Sequence, residues 1–304
     1  MSLPSASELI AEFRVIALPL RARFRGLTVR ETMLIHGPAG WGEFAAFTEY
    51  DDAESAPWLA SAIEQAWGTG PTDAERPLFR TDVRTNATLP AVDATEVPSI
   101  LERFGDFRTV KIKVAESGQT LADDVARVAA ARAFVGDAGR VRIDANGGWN
   151  VDEAEHAIRA LEHFDLEYVE QPCSTVEELA ELRDRVHRMG ILIAADESVR
   201  KAEDPIAVAR AGAADILVIK VAPLGGVRRA LDIIDAAGLP VVVSSALESS
   251  VGLAASFDLA RRIERLDYDC GLATDALFTG EEQTVSAERE QWWRERAARC
   301  LDLL

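Results

Sequence analysis

Histidine, cysteine and positive charge are what this chain has least of. Its 304 residues include four histidines and three cysteines, and 51 acids against 33 lysines and arginines leave a formal net charge of −18. A chain this acidic has no electrostatic reason to bind nucleic acid or an anionic membrane. An anionic small molecule would need a local positive patch. Cys173, Cys270 and Cys300 are odd in number and widely spaced. They make neither a CxxC pair nor a zinc pattern, and read as reduced thiols of a cytoplasmic protein. No apolar run nears the ~20 residues of a membrane helix. The start, MSLPSASELI, lacks the basic-then-apolar order of a signal peptide.

What is present divides into two patterns. Residues 9 to 47 alternate in a β manner around Phe13, Val15, Met33 and Ile35, with a turn at Gly37-Pro38-Ala39-Gly40. This predicts a small antiparallel meander. Within it Arg21, Arg23 and Arg25 lie in a stretch, Leu20 to Gly26, that reads as a mobile basic loop able to meet an anionic substrate. Trp58, Leu59, Ile63 and Trp67 fall near helical spacing, so residues 54 to 68 read as an amphipathic helix on the meander. From residue 82 the pattern becomes regular βα alternation, with a charged helix after Gly280. The expected domains are therefore an α+β cap over 1–81, completed by about 280–304, and a βα domain over 82–279.

In the βα part, RTVKIKVA, RVRIDANG, LEYVEQP, ILIAADES and DILVIKVA read as strands buried on both faces. Each ends on a charged residue: Lys113, Asp144, Glu170, Asp196 and Lys220, spaced by 31, 26, 26 and 24 residues. That spacing fits one strand, one helix and two loops. An open sheet would feed its crevice from a few strands. Only a closed barrel brings five consecutive strand ends to one rim, so the expected fold is α/β, of TIM-barrel type.

Asp144, Glu170 and Asp196 offer oxygen ligands only, which suits Mg²⁺, with Mn²⁺ also fitting. His36, His156, His163 and His187 fall in the cap or on predicted helices, at no strand end. A cation facing two amines suits removal of a proton alpha to a carboxylate, because the ene-diolate that forms needs a divalent charge beside it. Lys111 and Lys113 are two apart on one strand and so face the same way. Lys113 is the expected base, Lys111 the neighbour that helps hold the acids. Lys220, four strands on, faces them as a second acid/base or as a positive charge for the intermediate.

These motifs carry a resemblance. KIK, RIDANGGW, YVEQP, ADES and the lysine of VIKVAPLGG are similar to those of the enolase superfamily, in its muconate-lactonizing-enzyme-like branch. Its lysine base and Mg²⁺ are a known pattern. GWGEFAAFTEY resembles the family's N-terminal capping domain. The resemblance implies a modified (β/α)7β barrel under an α+β cap. Within the branch the short chain, SSALESSVG and CGLAT resemble the o-succinylbenzoate synthases. That implies syn dehydration of 2-succinyl-6-hydroxy-2,4-cyclohexadiene-1-carboxylate, a step of menaquinone synthesis. Lys113 would take the proton and then protonate the leaving hydroxyl. Arg142, Ser244, Glu248, Ser249 and Gly271 are expected around the substrate, with Ser244 and Gly271 near its succinyl group and residues 248–250 offering a helix start to a carboxylate. Asn146 and Gln171 are expected beside the acids. N-acylamino-acid racemisation, cycloisomerisation and a non-catalytic binding barrel stay open as alternatives. A dipeptide epimerase would carry DxD where this chain reads Ala273-Thr274-Asp275-Ala276-Leu277. The oligomeric state is left open.

Overall fold

The computed structural model describes residues 3–201 and 204–304. The chain begins with a one-turn helix, α1 (Ala6–Leu9), and an antiparallel meander of β1 (Phe13–Phe24), β2 (Leu27–Gly37) and β3 (Gly40–Phe44). The basic stretch proves to be no loop. Alternation carries β1 through Phe24, which pairs with Leu27, and leaves only Arg25 and Gly26 as the turn. Both have positive φ, 51° and 76°. Two such residues make the tight hairpin whose twist matches the strands. Helix α2 (Asp52–Trp67) follows, capped by the Asp51 carboxylate on the Glu54 N–H and ended by Gly68 at φ 63°. Its buried face, Trp58, Leu59, Ala62 and Ile63, lies on the meander. Contact is so close at Gly42 that a Cβ would stand 2.0 Å from the Ala62 carbonyl.

The βα part runs β4 (Ala87–Leu89), α3 (Val97–Leu101), β5 (Thr109–Lys113), α4 (Leu121–Val135), β6 (Arg140–Asp144), α5 (Val151–Leu161), β7 (Leu166–Glu170), α6 (Val176–Val186) and β8 (Ile193–Ala195). Two short helices come next, α7 (Glu197–Arg200) and α8 (Ala207–Arg210), then β9 (Ile216–Ile219), α9 (Val221–Leu224), α10 (Val227–Ala237), β10 (Val241–Val243) and α11 (Ser250–Arg262). The seven strands β4 to β10 form one parallel sheet in sequence order. The expected eighth strand is reduced to two residues. Cys270 bridges to Thr85 beside β4 and Gly271 to Ser244 beside β10, which joins the sheet's two edges. The strands approach closely at Gly271, where a Cβ would lie 2.6 Å from Ser244 Oγ and push that hydroxyl aside. Apolar residues fill both sides of the sheet: a large cluster under the helices and a small inner one of Tyr168, Ala194, Ile216, Val218 and Val242. None of the described helices is long and apolar enough to cross a membrane.

The chain then returns to the cap. β11 (Gln283–Thr284) pairs with β1, and α12 (Ala287–Leu301) packs on α2 with Trp293 fully buried. Cap and barrel are fastened by cap carboxylates on the starts of barrel helices. Glu43 accepts from Ser249 N, Ser249 Oγ and Gly252 N at 2.6–2.9 Å, at the start of α11. Glu64 accepts from Val227 N at 2.5 Å and Arg228 N at 3.3 Å, at the start of α10. A helix start holds unpaired N–H groups and the positive end of the dipole, so each carboxylate meets a matching charge.

Candidate active site

Register places the strand-end charges side by side. Lys113 pairs with Asp144 across β5 and β6, Asp144 with Glu170 across β6 and β7, and Glu170 with Ala194 of β8, two residues before Asp196. The three carboxylates are at most 1% exposed, so every charge on them must be matched from within. Lysines do this. Lys111 Nζ lies 2.8 Å from Glu170 and 3.3 Å from Asp144. Lys113 Nζ donates to Asp144 at 2.5 Å, and Lys220 Nζ to Asp196 at 2.6 Å.

The acids differ in how well they are matched. Burial opposes the charged form of each. For Asp144 the Lys113 and Lys111 ammonium groups win and hold its carboxyl well below the usual range. For Asp196, Lys220 and Arg200 bring it down to about 2. Burial, reinforced by Asp144, pushes Glu170 up to about 7 despite Lys111. Its Oε2 is buried with no hydrogen-bond partner. Lys111 is raised well above its ordinary value: Glu170 and Asp144 outweigh its burial. Asn146 and Gln171 hold the acids' surroundings. Asn146 accepts from Lys113 Nζ at 2.5 Å and donates to Glu197 at 3.2 Å. Gln171 Oε1 accepts from the backbone of Asp196 and Ser198 at 2.9 and 3.2 Å.

Above the acids is a small cavity of about 40 Å³, between the barrel rim and the cap. Lys111, Lys113 and Lys220 line its floor, Ser244 and Gly271 one wall, and Phe24, Arg25 and Phe47 of the cap its mouth. Three other expected residues lie elsewhere. Arg142 is fully buried below the rim, bonded to Asn86 Oδ1 at 3.1 Å, the Asp269 carbonyl at 2.7 Å and Glu167 at 2.5 Å. It sits one pleat repeat below Asp144, and the barrel interior takes it. Ser249 is spent on Glu43, so the helix start expected to bind a substrate carboxylate is filled by the cap. Glu248 folds onto the Ala246 N–H at 2.6 Å and does not reach the cavity wall. Sequence reading missed Thr88, Ser245, Thr274 and Arg200, which also line the cavity. Only Arg200 left a signal: it follows Asp196 by four residues, one helical turn, and its Nε donates to Asp196 at 3.1 Å.

Comparison with known proteins fits this geometry. The family model described as enolase C-terminal domain-like matches residues 94–291, and that described as enolase N-terminal domain-like matches 15–66. The chain belongs to the enolase superfamily. It is 50% identical to the o-succinylbenzoate synthase of Mycobacterium ulcerans over 98% of this chain and 95% of that one. It is also 50% identical to the o-succinylbenzoate synthase of Mycobacterium tuberculosis, over 99% and 97%. Among solved structures, the L-Ala-D/L-Glu epimerase of Bacillus subtilis is 27% identical with TM-score 0.70, covering 88% of this chain and 90% of that one. The muconate lactonizing enzyme of Pseudomonas putida is 22% identical with TM-score 0.71, covering 89% of each, and shares the fold. A dipeptide epimerase of Enterococcus faecalis, solved with Mg and a dipeptide, is 25% identical with TM-score 0.72, covering 88% and 90%.

Enolase-superfamily enzymes generally use a divalent metal, and this donor set fits one. It is all oxygen, one of its oxygens is buried without a partner, and Glu170 is short of positive charge. Among the described residues no three acids, histidines or cysteines enclose a cation as they stand; a lysine amine sits on one oxygen of each carboxylate.

Proposed function

We propose that the chain is a lyase that converts 2-succinyl-6-hydroxy-2,4-cyclohexadiene-1-carboxylate to 2-succinylbenzoate in the cytoplasm, as a step of menaquinone synthesis. The observation that carries this is the floor of the cavity: Lys113 and Lys220, four strands apart, face one chamber above three buried carboxylates. The names of the half-identical mycobacterial relatives support the same reading.

Asp144, Glu170 and Asp196 would hold the metal, for which the oxygen set favours Mg²⁺ and admits Mn²⁺. When bound, the cation supplies Lewis-acid stabilisation of the negative charge that develops on the substrate carboxylate. The remaining steps belong to the chain. Lys113 takes the proton from the carbon alpha to the carboxylate. The C–H electron pair moves into the carboxylate, giving the ene-diolate. That pair returns to expel the hydroxyl group from the neighbouring carbon. Lys113, now an ammonium, gives its proton to the departing oxygen on the same face. Water leaves and the ring becomes aromatic. Lys220 faces the intermediate as a positive charge, and Lys111 keeps Asp144 and Glu170 in place. Ser244 and Gly271 leave room for the succinyl chain, and Arg25 at the mouth meets its distal carboxylate.

The test is to supply the cyclohexadiene carboxylate with Mg²⁺ and follow the aromatic product. Absence of product, and of solvent deuterium exchange, would remove the enzyme reading. A second reading has one observation in its favour. Because both amines line the same cavity, proton removal at one face and return at the other is also open to the site. Interconversion of N-acylamino acid enantiomers would show that this activity accompanies dehydration.

A further inference from the structure

Arg25 stands where a turn of this type favours asparagine, aspartate or glycine. Its φ of 51° is uncommon for a side chain branching no earlier than its tip, so the position is held at some conformational expense. What holds it is Tyr50. Arg25 Nη2 donates to the Tyr50 hydroxyl at 2.7 Å, and its guanidinium stacks 4.0 Å from the Phe47 ring centroid. Its carboxylate neighbour Glu49 is no nearer than 4.0 Å. The same hydroxyl accepts from Arg200 Nη1 at 3.0 Å, from the barrel side.

Tyr50 is itself a fixed post. Arg296, buried on α12, donates to the carbonyls of Phe47 and Tyr50 at 2.8 Å and of Ala46 at 3.2 Å, and to Ser55 Oγ at 2.6 Å. Arg30 binds the Ala45 carbonyl. The tyrosine ring packs edge-on against Phe47 and Trp58. The two arginines depend on it unequally. Arg200 keeps Asp196 at 3.1 Å and Glu197 at 2.6 Å without it, whereas Arg25 has no other side-chain hydrogen bond among the described residues.

We propose that Tyr50 is a positioning residue for the substrate's distal anionic group: its hydroxyl aims Arg25 into the mouth of the cavity. Side chains held by a rigid surround lose less freedom on binding, so the gain is in affinity. The proposal rests on the functional reading above only in taking the distal group to be a carboxylate.

Tyr50→Phe removes the hydroxyl and leaves the ring. It is expected to raise KM roughly tenfold, the scale of one charge-assisted contact set loose, with kcat within about threefold and Mn²⁺ affinity by calorimetry unchanged. Arg25→Ala raises KM as well, and the double variant matches Arg25→Ala alone, because the tyrosine acts only through the arginine. Arg25→Lys keeps the charge but loses the planar fork, and is expected to behave as Tyr50→Phe does. Trypsin reads the same hydroxyl without any substrate: cleavage after Arg25 should be several-fold faster in Tyr50→Phe. Additive KM effects, a loss confined to kcat, or unchanged trypsin resistance with unchanged KM would each overturn the proposal. If the wild type fails to make the aromatic product, the functional reading falls, and the cleavage rates still decide the role of Tyr50.

Discussion

The barrel rim and the cap–barrel seam both bury charged side chains, and they satisfy them in opposite ways. At the rim, side chain meets side chain: Lys111, Lys113 and Lys220 against Glu170, Asp144 and Asp196. At the seam, side chain meets backbone: Glu43 and Glu64 on helix-start N–H groups, Arg30 on the carbonyls of Leu247 and Ala246. A lysine can leave a carboxylate when a metal or substrate proton arrives, so the rim can rearrange during reaction. A carboxylate spread over three fixed donors cannot leave without exposing them all, so the seam locks. Chemistry is placed where pairs exchange, and rigidity where they do not.

Breaking each kind of pair should therefore give different phenotypes. The largest effect is expected at the rim. Lys220→Ala should lower kcat by roughly 10²–10⁴-fold while circular dichroism shows the native fold. Chelation of divalent metal should abolish turnover, and added Mg²⁺ should restore it. At the seam, Glu43→Ala leaves three donors without a partner and should cost about 1–3 kcal/mol in urea unfolding. Glu64→Ala should cost about 1 kcal/mol, as a single lost helix cap does.

Glu43 sharpens the contrast further through pH. Burial raises its carboxyl above the ordinary 4.5, with Glu248 adding to this and the bonds from Ser249 and Gly252 opposing it. A carboxyl raised on folding binds its proton more tightly in the folded state. Its contribution is fully present below the unfolded value and is lost as pH rises through the folded one. The stability difference between wild type and Glu43→Gln should shift against the wild type as pH rises above about 4.5. No change in that difference between pH 4 and 7, about the window concerned, would mean that Glu43 is ordinary in the fold.

The same contrast explains what the sequence disclosed. Lys113, Asp144, Glu170, Asp196 and Lys220 were legible because strand ends recur with a fixed period, and each partner has its own letter in the chain. Arg142 was assigned one level too high, because strand alternation tells face but not depth. Ser249 was offered to a substrate, because nothing local says that Glu43, 206 residues earlier, fills that helix start. Arg30 and Arg296 went unread for a related reason. Their partners are carbonyls, which every residue has. The Arg21–Arg25 stretch was read as a loop from its charges, when its alternation already continued the strand as far as Phe24.

The role given to Lys113 is tested most directly by one comparison. Wild type and Lys113→Ala, at equal folded concentration in Mg²⁺, are supplied with the cyclohexadiene carboxylate, and the aromatic product is followed. Rapid product from the wild type and none above background from Lys113→Ala is the expected result. Near-normal turnover by Lys113→Ala would contradict the assignment of the proton to that amine.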